Sequence, residues 1–475
     1  MALRRLLLGG LLVFTIGFAV FALEHMFPPQ PYGIADDWRV FYAAATVVQH
    51  GGNPYDATTI HAAEQAAQHY QNVQPSLDDF TDLPIIALVL RAVTWLPYWA
   101  SYAAFSAAGI VIVMASLFAW MRAWGWRRPA LWLLGGLASW PVLLGLFSGQ
   151  FDAVLLGATI AALLLMRRHR PVAAGLCMAA VLLKPHLLWP LPLLLFVVWL
   201  DDPRQAWRFA ASAAAVILSG TLIGFLLVPN SSGFVGHLLG FGSRVADVQP
   251  DLAGVPGMLL HLPGGRTIAV AVAAIGVAAV FALAAWIAVR GRRREMGEHA
   301  RALIPLAGLA VWLALTPYAH PNDDVLLFPL VVLMVGRDAA ALEGRALGAG
   351  LVAAAVVAAA FIAAPAIGFL AVIGGASWLV VQRHRVTAPL VAALAFAAVA
   401  VLPTVWPFHV LTVPVTPIAV VLTALAGLLS VRETLGPPQP GSVRERVGER
   451  ERSGGIGGVV VETTPALAAE ASGRN

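Results

Sequence analysis

The sequence predicts an all-α polytopic membrane protein. Of its 475 residues, 59% are hydrophobic and only 12% are charged, and the mean hydropathy is +0.80. A soluble globular chain is typically about 45–50% apolar and about 25% charged. The apolar excess extends through residues 1–431, so we expect a single transmembrane domain, built as one helical bundle. Residues 432–475 mix charge with proline and glycine, which is typical of a disordered tail.

Apolar runs that meet or approach the length of a transmembrane helix recur along the chain. The candidates are 6–23, 101–121, 130–147, 152–166, 172–200 as a broken pair, 209–228, 267–289, 302–318, 325–336, 346–364, 366–381, 388–402 and 412–431. A span needs about 20 mostly apolar residues, and on this criterion we expect about 12 transmembrane helices within a range of about 11–14.

Arginine residues divide the loops between these runs into two classes. Most loops are rich in arginine, whereas the long loops 24–100 and 229–266 contain few. Cytoplasmic loops carry an excess of Lys and Arg. We therefore expect a multi-pass plasma-membrane protein with both termini in the cytoplasm and these two loops outside. The net charge of +5 comes from dispersed clusters rather than from one basic patch, which argues against a nucleic-acid partner.

The segment 83–100 is apolar enough to be taken for a span. A span here would invert every later loop, and Arg91 in its middle would cost about 2.5–3.5 kcal/mol on insertion scales. We therefore expect short interfacial or re-entrant helices in the first outer loop. Trp95, Tyr98 and Trp99 would anchor them at the depth of the lipid headgroups.

The first apolar run, 6–23, follows two arginines and has two interpretations. It is longer than the usual hydrophobic region of a signal peptide, and no clear A-x-A cleavage site follows it. A retained membrane anchor is therefore favoured over a cleaved signal.

Polar and ionisable residues concentrate at the outer ends of the predicted helices. The groups are Asp36, Asp37 and Arg39 with GGNPYD at 51–56; LDDFTD at 77–82; Gln150 and Asp152 in SGQFD; Lys184 and His186 in KPH; and His320, Asn322, Asp323 and Asp324 in TPYAHPNDD. The cytoplasmic side carries arginines and little else. Because ionisable residues near membrane depth are costly, this asymmetry predicts a polar functional site at the outer membrane surface.

Several of these groups also have an architectural interpretation. Asp36 could be a solvated loop residue, GGNPYD has the composition of a tight turn, and Gln150 could cap a helix end. Asp323 or Asp324 could be the N-cap of the apolar helix predicted directly after them.

Lys184 is less easily explained in this way. It is the only lysine in the chain and lies beside Pro185, between two apolar stretches. A helix broken at membrane depth is tolerated where it lines a polar cavity. A role facing a ligand is therefore favoured for Lys184.

Motifs of nucleotide, metal and nucleophilic chemistry are missing from the sequence. It contains no glycine-rich phosphate loop, no HExxH or GxSxG motif, and no D-x-D pair in a plausible metal-binding place. The single cysteine, Cys177, lies in an apolar run and forms no internal disulfide. The cytoplasmic loops are too short for a nucleotide-sugar site. We expect no metal and no cofactor.

Three stretches resemble blocks of glycosyltransferase family 87. The first, DWRVFYAAATVVQHGGNPYD at 37–56, is similar to the first outer-loop motif of the family. The second, from SGQFD at 148–152 to KPH at 184–186, resembles its GQ…AG…KP stretch. The third, TPYAHPNDD before an apolar run, resembles a block of Pro, polar residues and Asp. The blocks occur in the order of the family, and a looser resemblance extends from residue 1 to about 430.

The resemblance implies a C-type glycosyltransferase (GT-C) fold, a helical bundle whose first outer loop carries an acidic catalytic residue. It also implies a polyprenyl-phosphate donor of mannose or arabinofuranose, a lipid-linked or cell-envelope glycan acceptor, and actinobacterial relatives. The chain departs from the pattern at Phe41, where tyrosine is frequent, and at Asp152, where asparagine is often found. The doubled Asp36–Asp37 leaves the catalytic position open by one residue.

The residues themselves suit a donor whose prenyl tail lies in the bilayer and whose phosphate lies at its surface. Lys184 and His186 offer charge-assisted hydrogen bonds to the phosphate, and His320 would orient phosphate or acceptor. Asp37 is the expected general base because it directly precedes an aromatic-rich helix, and Asp36 is the second candidate. One carboxylate is enough for a single inverting displacement.

Further residues complete the expected site. Arg39, Tyr42 and Gln150 are expected to bind donor or substrate. A second set is expected either to contact the acceptor or to be structural, and consists of Asp152, Asn322, Asp323 and Asp324.

We therefore expect mannosyl transfer on the outer face of the membrane, with arabinofuranosyl transfer as the alternative. The rival from another class is a transporter or lipid-carrier flippase, which would place polar residues near the midplane of both halves and usually shows an internal repeat. Here the polar residues are biased outward and no convincing repeat is present. A non-catalytic envelope assembly protein is a further alternative. The sequence gives no indication of the oligomeric state.

Overall fold

The computed structural model describes residues 35–68, 80–126, 140–240, 252–291, 296–334 and 420–431, with short gaps in these ranges, and single positions between 127 and 139. Within these residues the regular structure is entirely helical, without a strand. The α-helices with defined bounds are α1 (Asp36–Gln49), α2 (Ala57–Gln68), α3 (Pro84–Leu90), α4 (Tyr98–Ala123), α5 (Trp140–Ser148), α6 (Asp152–Arg167), α7 (Pro171–Cys177), α8 (Pro185–Leu188), α9 (Pro190–Val198), α10 (Pro203–Leu227), α11 (Val255–Leu260), α12 (Gly265–Gly291) and α13 (Glu298–Leu315). The 3-10 helices are Arg91–Val93, Met178–Leu182 and Pro321–Leu327.

Four of these helices are long and apolar enough to cross a membrane. They are α4, α10, α12 through Val289, and α13. The predicted membrane protein and all-α class are therefore confirmed, whereas the count of about 12 spans and the GT-C bundle stay predictions. Outside the described residues lie the segments predicted at 6–23, 346–364, 366–381 and 388–402 and the tail 432–475.

The long helices differ in how much of their apolar surface the protein covers. Within the most apolar window of each helix, 72% of α13 is buried but only 11% of α10. A helix that is apolar all round and mostly uncovered is typical of a lipid-facing position. α13 is therefore largely covered by the rest of the protein. The polar segment that contains His320 follows the end of this buried helix.

The chain between α6 and α10 is broken repeatedly, as predicted for 172–200. α7, α8, α9 and α10 each begin with a proline, which fits the first turn of a helix because its missing N–H needs no partner there. Lys184 lies directly before α8 with φ −141° and ψ 76°, outside helical geometry. The helix is therefore interrupted at Lys184, next to the polar site.

The loop predicted to lie outside, 24–100, contains short helices in its described part, and 83–100 is not one membrane helix. α3 has seven residues and continues only into the 3-10 helix Arg91–Val93, which is too short to span a bilayer. Trp95 and Trp99 are 76% and 48% exposed, in keeping with an interfacial position. The expectation for Tyr98 was wrong, because Tyr98 is buried.

α1 is buried on most of its surface. Trp38 is fully buried, stacks on Phe105 with ring centroids 4.3 Å apart, and donates from Nε1 to Ser101 Oγ at 3.0 Å. Phe41 packs on Phe151 at 4.6 Å. These contacts hold the start of α1 against α4 and the beginning of α6.

The GGNPYD turn is architectural. Gly51 takes φ +76°, which glycine adopts at no steric cost, and Asn53 Oδ1 accepts from the N–H of Tyr55 at 3.0 Å. Asp56 Oδ2 accepts from the N–H of Thr59 at 3.2 Å and so caps the start of α2. Tyr55 OH donates to the Asp82 carbonyl at 2.8 Å and ties this turn to the segment before α3.

Candidate functional site

The N-terminus of α1, which carries Asp37, is fixed by two neighbouring helices. The N–H of Ala35 donates to the carbonyl of Phe147, near the end of α5, at 2.6 Å. The carbonyl of Ala35 accepts from Tyr98 OH at 2.8 Å. Asp37 is half-buried and is therefore accessible from a rigid position.

The turn between α5 and α6 packs directly on this end of α1. Gly149 has φ +81°, and a Cβ at this position would lie 2.5 Å from Trp38 Cβ. Only glycine therefore allows the turn to approach so closely. The next residue, Gln150, has a buried side-chain oxygen with no hydrogen-bond partner among the described residues. An amide with an unused acceptor thus lies beside the turn that supports Asp37.

Lys184 is shared by two buried carboxylates. Its Nζ donates to Asp152 Oδ1 at 3.0 Å and to Asp323 Oδ1 at 2.7 Å. Lys184 is 7% exposed, and the two aspartates are 2% and 0% exposed. Two of the three N–H groups of the ammonium are therefore taken by ionic hydrogen bonds within the protein.

The second oxygen of each carboxylate is bound by the segment after α13. Asn322 Nδ2 donates to Asp152 Oδ2 at 2.7 Å, and the backbone N–H of His320 donates to Asp323 Oδ2 at 2.7 Å. His320, not Asp323 or Asp324, is the N-cap of the 3-10 helix Pro321–Leu327, and Asp323 completes a capping box with it. The N-cap expectation for Asp323 or Asp324 is corrected accordingly.

Asp324 completes the buried acidic cluster and differs from its neighbours. It is 1% exposed, and neither carboxylate oxygen has a hydrogen-bond partner among the described residues. The carboxylates of Asp323 and Asp152 both repel a negative charge on Asp324. In the part of the chain that the structure describes, no group of His, Cys, Asp or Glu has an arrangement suited to a metal ion.

Three aromatic rings line the edge of this cluster. Tyr318 packs edge-on between His186 and His320, with ring centroids 5.1 Å from each. Trp312 Nε1 donates to the His186 carbonyl at 2.7 Å and connects this edge to α13. Both histidines are half-buried, so their rings are partly accessible next to the buried ions.

Asp82, in the segment before α3, lies close enough to the buried cluster for Lys184 to act on its carboxyl group. Burial raises the pKa of Asp82 to about 7, while Lys184 acts to lower it and Asp37 to raise it. The charges of Lys184 and Asp37 therefore both affect the pKa of Asp82. The residue belongs to the acidic LDDFTD stretch, which was one of the polar groups expected near the site, but no individual role was predicted for Asp82.

A family model, glycosyltransferase family 87, matches residues 80–317, half of the chain. The chain belongs to glycosyltransferase family 87. The matched region contains Asp82, the Gln150 turn and Lys184, and it ends at residue 317, just before His320. No curated protein and no solved structure gives a significant match. The family identifies the protein as a membrane glycosyltransferase.

Two residues predicted to bind substrate in this family 87 protein make contacts within the protein. Arg39 is 6% exposed and forms an ion pair with Glu64 of α2 at 3.7 Å. Tyr42 donates from its hydroxyl to the Leu96 carbonyl at 2.9 Å. Their role in substrate binding stays a prediction. The side chain of Asp36 lies outside the described part of the structure.

The remaining predicted residues of the family 87 site fall into two groups by exposure. Half-buried side chains that a ligand could contact are Asp37, Gln150, His186 and His320, and Asp82 joins them. Buried side chains behind them are Asp152, Lys184, Asn322, Asp323 and Asp324. The first group can carry out chemistry on a bound substrate, whereas the second can hold the first group in place.

Proposed function

We propose that this family 87 glycosyltransferase transfers mannose from polyprenyl-phosphate mannose to a lipid-linked or cell-envelope glycan on the outer face of the membrane. Its partners are therefore a prenyl-linked donor, a glycan acceptor and the surrounding lipids. The family supports the general reaction, and the resemblance of the three sequence blocks supports the choice of donor. Arabinofuranose in place of mannose is the alternative that the same site would accept.

One observation carries the assignment of the site. Trp38, the neighbour of Asp37, packs against Gly149 of the turn before α6, and Asp152 at the start of α6 accepts a hydrogen bond from Lys184 at 3.0 Å. The predicted base and the predicted cationic group therefore lie on adjoining elements, which supports assigning them to one site. A transferase for a prenyl-phosphate sugar needs this combination, since a carboxylate must meet the acceptor hydroxyl while a cation faces the donor phosphate.

The proposed reaction is a single displacement at the anomeric carbon. The acceptor hydroxyl oxygen attacks C1, the C1–O bond to the phosphate breaks, and polyprenyl phosphate leaves with the electron pair. Asp37 takes the proton of the acceptor hydroxyl and becomes neutral. One carboxylate is sufficient for inversion, whereas retention by double displacement needs a second group that acts as nucleophile.

The donor phosphate is proposed to lie at the edge formed by His186, Tyr318 and His320. An N–H of each histidine ring would donate a hydrogen bond to its oxygens, and the Lys184 ammonium behind them would offset part of the negative charge of Asp152 and Asp323. The unused acceptor of Gln150 suits a sugar hydroxyl near Asp37. The predicted outer location of these segments would let the prenyl tail remain in the bilayer.

Sugar transfer in proteoliposomes tests this function. Purified protein would be supplied with radiolabelled polyprenyl-phosphate mannose or polyprenyl-phosphate arabinofuranose and with extracted envelope glycolipids as acceptors. We expect label to move from mannose donor to glycolipid, with inverted anomeric configuration by NMR. Transfer from the arabinose donor alone would replace the sugar assignment, and no transfer from either donor would refute the proposal.

A further inference from the structure

Lys184, Asp152 and Asp323 form part of a closed chain of hydrogen bonds. The ammonium bonds one oxygen of each carboxylate, and each remaining oxygen bonds the segment after α13 through Asn322 or through the backbone of His320. The chain therefore joins three separate parts of the fold. These are the start of α6, the helix break at Lys184 and the start of the 3-10 helix Pro321–Leu327.

Stability alone does not explain why these charges are buried. Removing a charged group from water costs several kcal/mol per ion, and apolar replacements of buried ion pairs are often neutral or stabilising. The arrangement here contains two carboxylates and one ammonium, so attraction is accompanied by repulsion between like charges. A buried network of this kind is better explained by the one geometry that it specifies.

The network determines the relative positions of the His186 and His320 rings. His186 is two residues after Lys184, and the N–H of His320 is bonded directly to Asp323. A displacement of the ammonium or of either carboxylate would therefore shift the two histidine rings relative to each other. Misplacement of binding groups by about 1 Å can reduce a rate by about 10²-fold.

We propose that Asp152 and Asp323 are positioning residues, which hold Lys184 and thereby set the spacing of His186 and His320 for a phosphate group. The assignment rests on the proposed function, since the phosphate belongs to the prenyl-linked donor. Asp152 and Asp323 themselves contact no substrate. They act through the lysine between them and through the segment that carries His320.

The main test is a variant in which the whole network is neutral, Asp152→Asn/Lys184→Met/Asp323→Asn. Its melting temperature and its Kd for polyprenyl phosphate without a sugar would be measured in detergent. We expect an unchanged or higher melting temperature with a Kd raised about 10²-fold. An unchanged Kd would overturn the proposal, and so would loss of folding, because the network would then be structural.

A matched control is the ion pair between Asp201 and Arg301, which lies between the start of α10 and α13 and outside the site. The variant Asp201→Asn/Arg301→Met also removes a partly buried ion pair. Among the described residues, neither Asp201 nor Arg301 forms a hydrogen bond or ring contact with His186 or His320. We expect its Kd for polyprenyl phosphate to equal that of the wild type. A rise equal to that of the network variant would overturn the proposal by showing a general effect of lost ion pairs.

A second measurement needs neither donor nor catalysis. Lys184 is the only lysine, so reductive methylation of a lysine side chain, followed by mass spectrometry, reports on this residue alone, with the terminal amine as reference. Carboxylate partners favour the protonated ammonium, which does not react. Methylation of Asp152→Asn/Asp323→Asn should therefore be at least about tenfold faster than that of the wild type.

Equal methylation rates in the two proteins would overturn the role of the carboxylates. The proposed function can fail separately, through a wild type that transfers sugar from neither prenyl donor. In that case a faster methylation of the variant would still establish that the two aspartates hold Lys184.

Discussion

Gly149 packs against Trp38 so closely that the turn before α6 and the start of α1 behave as one unit. A Cβ at Gly149 would lie 2.5 Å from Trp38 Cβ and 3.2 Å from its backbone nitrogen. The residue before Trp38 is Asp37, and the residue after Gly149 is Gln150. The contact therefore fixes the predicted base relative to an amide with an unused acceptor, and both belong to segments that resemble family 87 motifs.

Gly149→Ala should push the turn before α6 away from the start of α1. The methyl group meets both a left-handed backbone, which costs about 1–3 kcal/mol, and a steric clash with Trp38. We expect a lower melting temperature and at least a tenfold loss of transfer activity, measured by thermal unfolding and by donor turnover.

Gly51→Ala is the control for backbone strain. Gly51 has φ +76°, close to that of Gly149, but nothing lies within 4 Å of a Cβ at this position. It should lose comparable stability from the dihedral angle while keeping most of its activity. Equal activity losses in the two variants would show that the contact with Trp38 has no special importance.

Asp82 should make stability depend on pH near neutrality. Its folded pKa of about 7 lies above the ordinary value of 3.8, so folding favours its protonated form. The stability that this provides is present at low pH and is lost as pH rises toward 7. Asp82→Asn should therefore raise the melting temperature more at pH 8 than at pH 5.

Asp56 provides a control of opposite sign. Hydrogen bonds, chiefly from the Thr59 side chain, lower the pKa of Asp56 below its ordinary value. Its contribution is present above that ordinary value and is lost on acidification. Asp56→Asn should therefore lower the melting temperature at pH 8. A shift of the same sign in both variants would contradict the assignment of Asp82.

Asp324→Asn should be tolerated. Neither oxygen of Asp324 has a hydrogen-bond partner among the described residues, and two other carboxylates lie nearby. An unsatisfied buried polar group costs about 1–3 kcal/mol, and more when charged, so removal of the charge should raise or maintain stability. We expect a melting temperature at or above that of the wild type with transfer activity retained. A clear fall would indicate that Asp324 has a required partner.

The arginine-rich segment that follows α12 should lie in the cytoplasm. Arginines cluster at 290–294, and such clusters favour the cytoplasmic side. Cys177 would first be replaced by serine, and single cysteines would then be introduced at 295 and in the outer loop at 53. Only the second should react with a membrane-impermeant maleimide in intact cells. Labelling of the first would invert the topology and place the site on the other side.

Local sequence signals were sufficient for the helical class and for the break at Lys184. Hydropathy identified the long helices, and Pro185 marked the point where helical geometry ends. The same signals located the polar groups in separate segments without showing their contacts. Lys184 bonds Asp152 and Asp323, which are 32 and 139 positions away, and such contacts depend on how distant helices pack.

The errors at Tyr98 and in the N-cap assignment have a related cause. Tyr98 has the composition of an interfacial anchor, but its hydroxyl finds a backbone carbonyl at Ala35, 63 positions away, and the ring is buried. Asp323 has the chemistry of an N-cap, but its carboxylate is also needed by Lys184, so it takes the third position of a capping box begun by His320. Composition gives the chemistry of a side chain, whereas tertiary contacts select its use.

Asp37→Asn should abolish most transfer while Asp36→Asn keeps it. Adjacent side chains on a helix diverge, so only one of the two can face the site, and the Asp37 carboxylate acts on the pKa of Asp82. A general base contributes about 10²–10⁴-fold to rate. We expect kcat of Asp37→Asn to fall by about this factor with the donor KM largely unchanged, because asparagine keeps the size of the side chain and removes only its basicity. The opposite behaviour of the two variants would shift the base to Asp36, and full activity in both would remove the general-base mechanism.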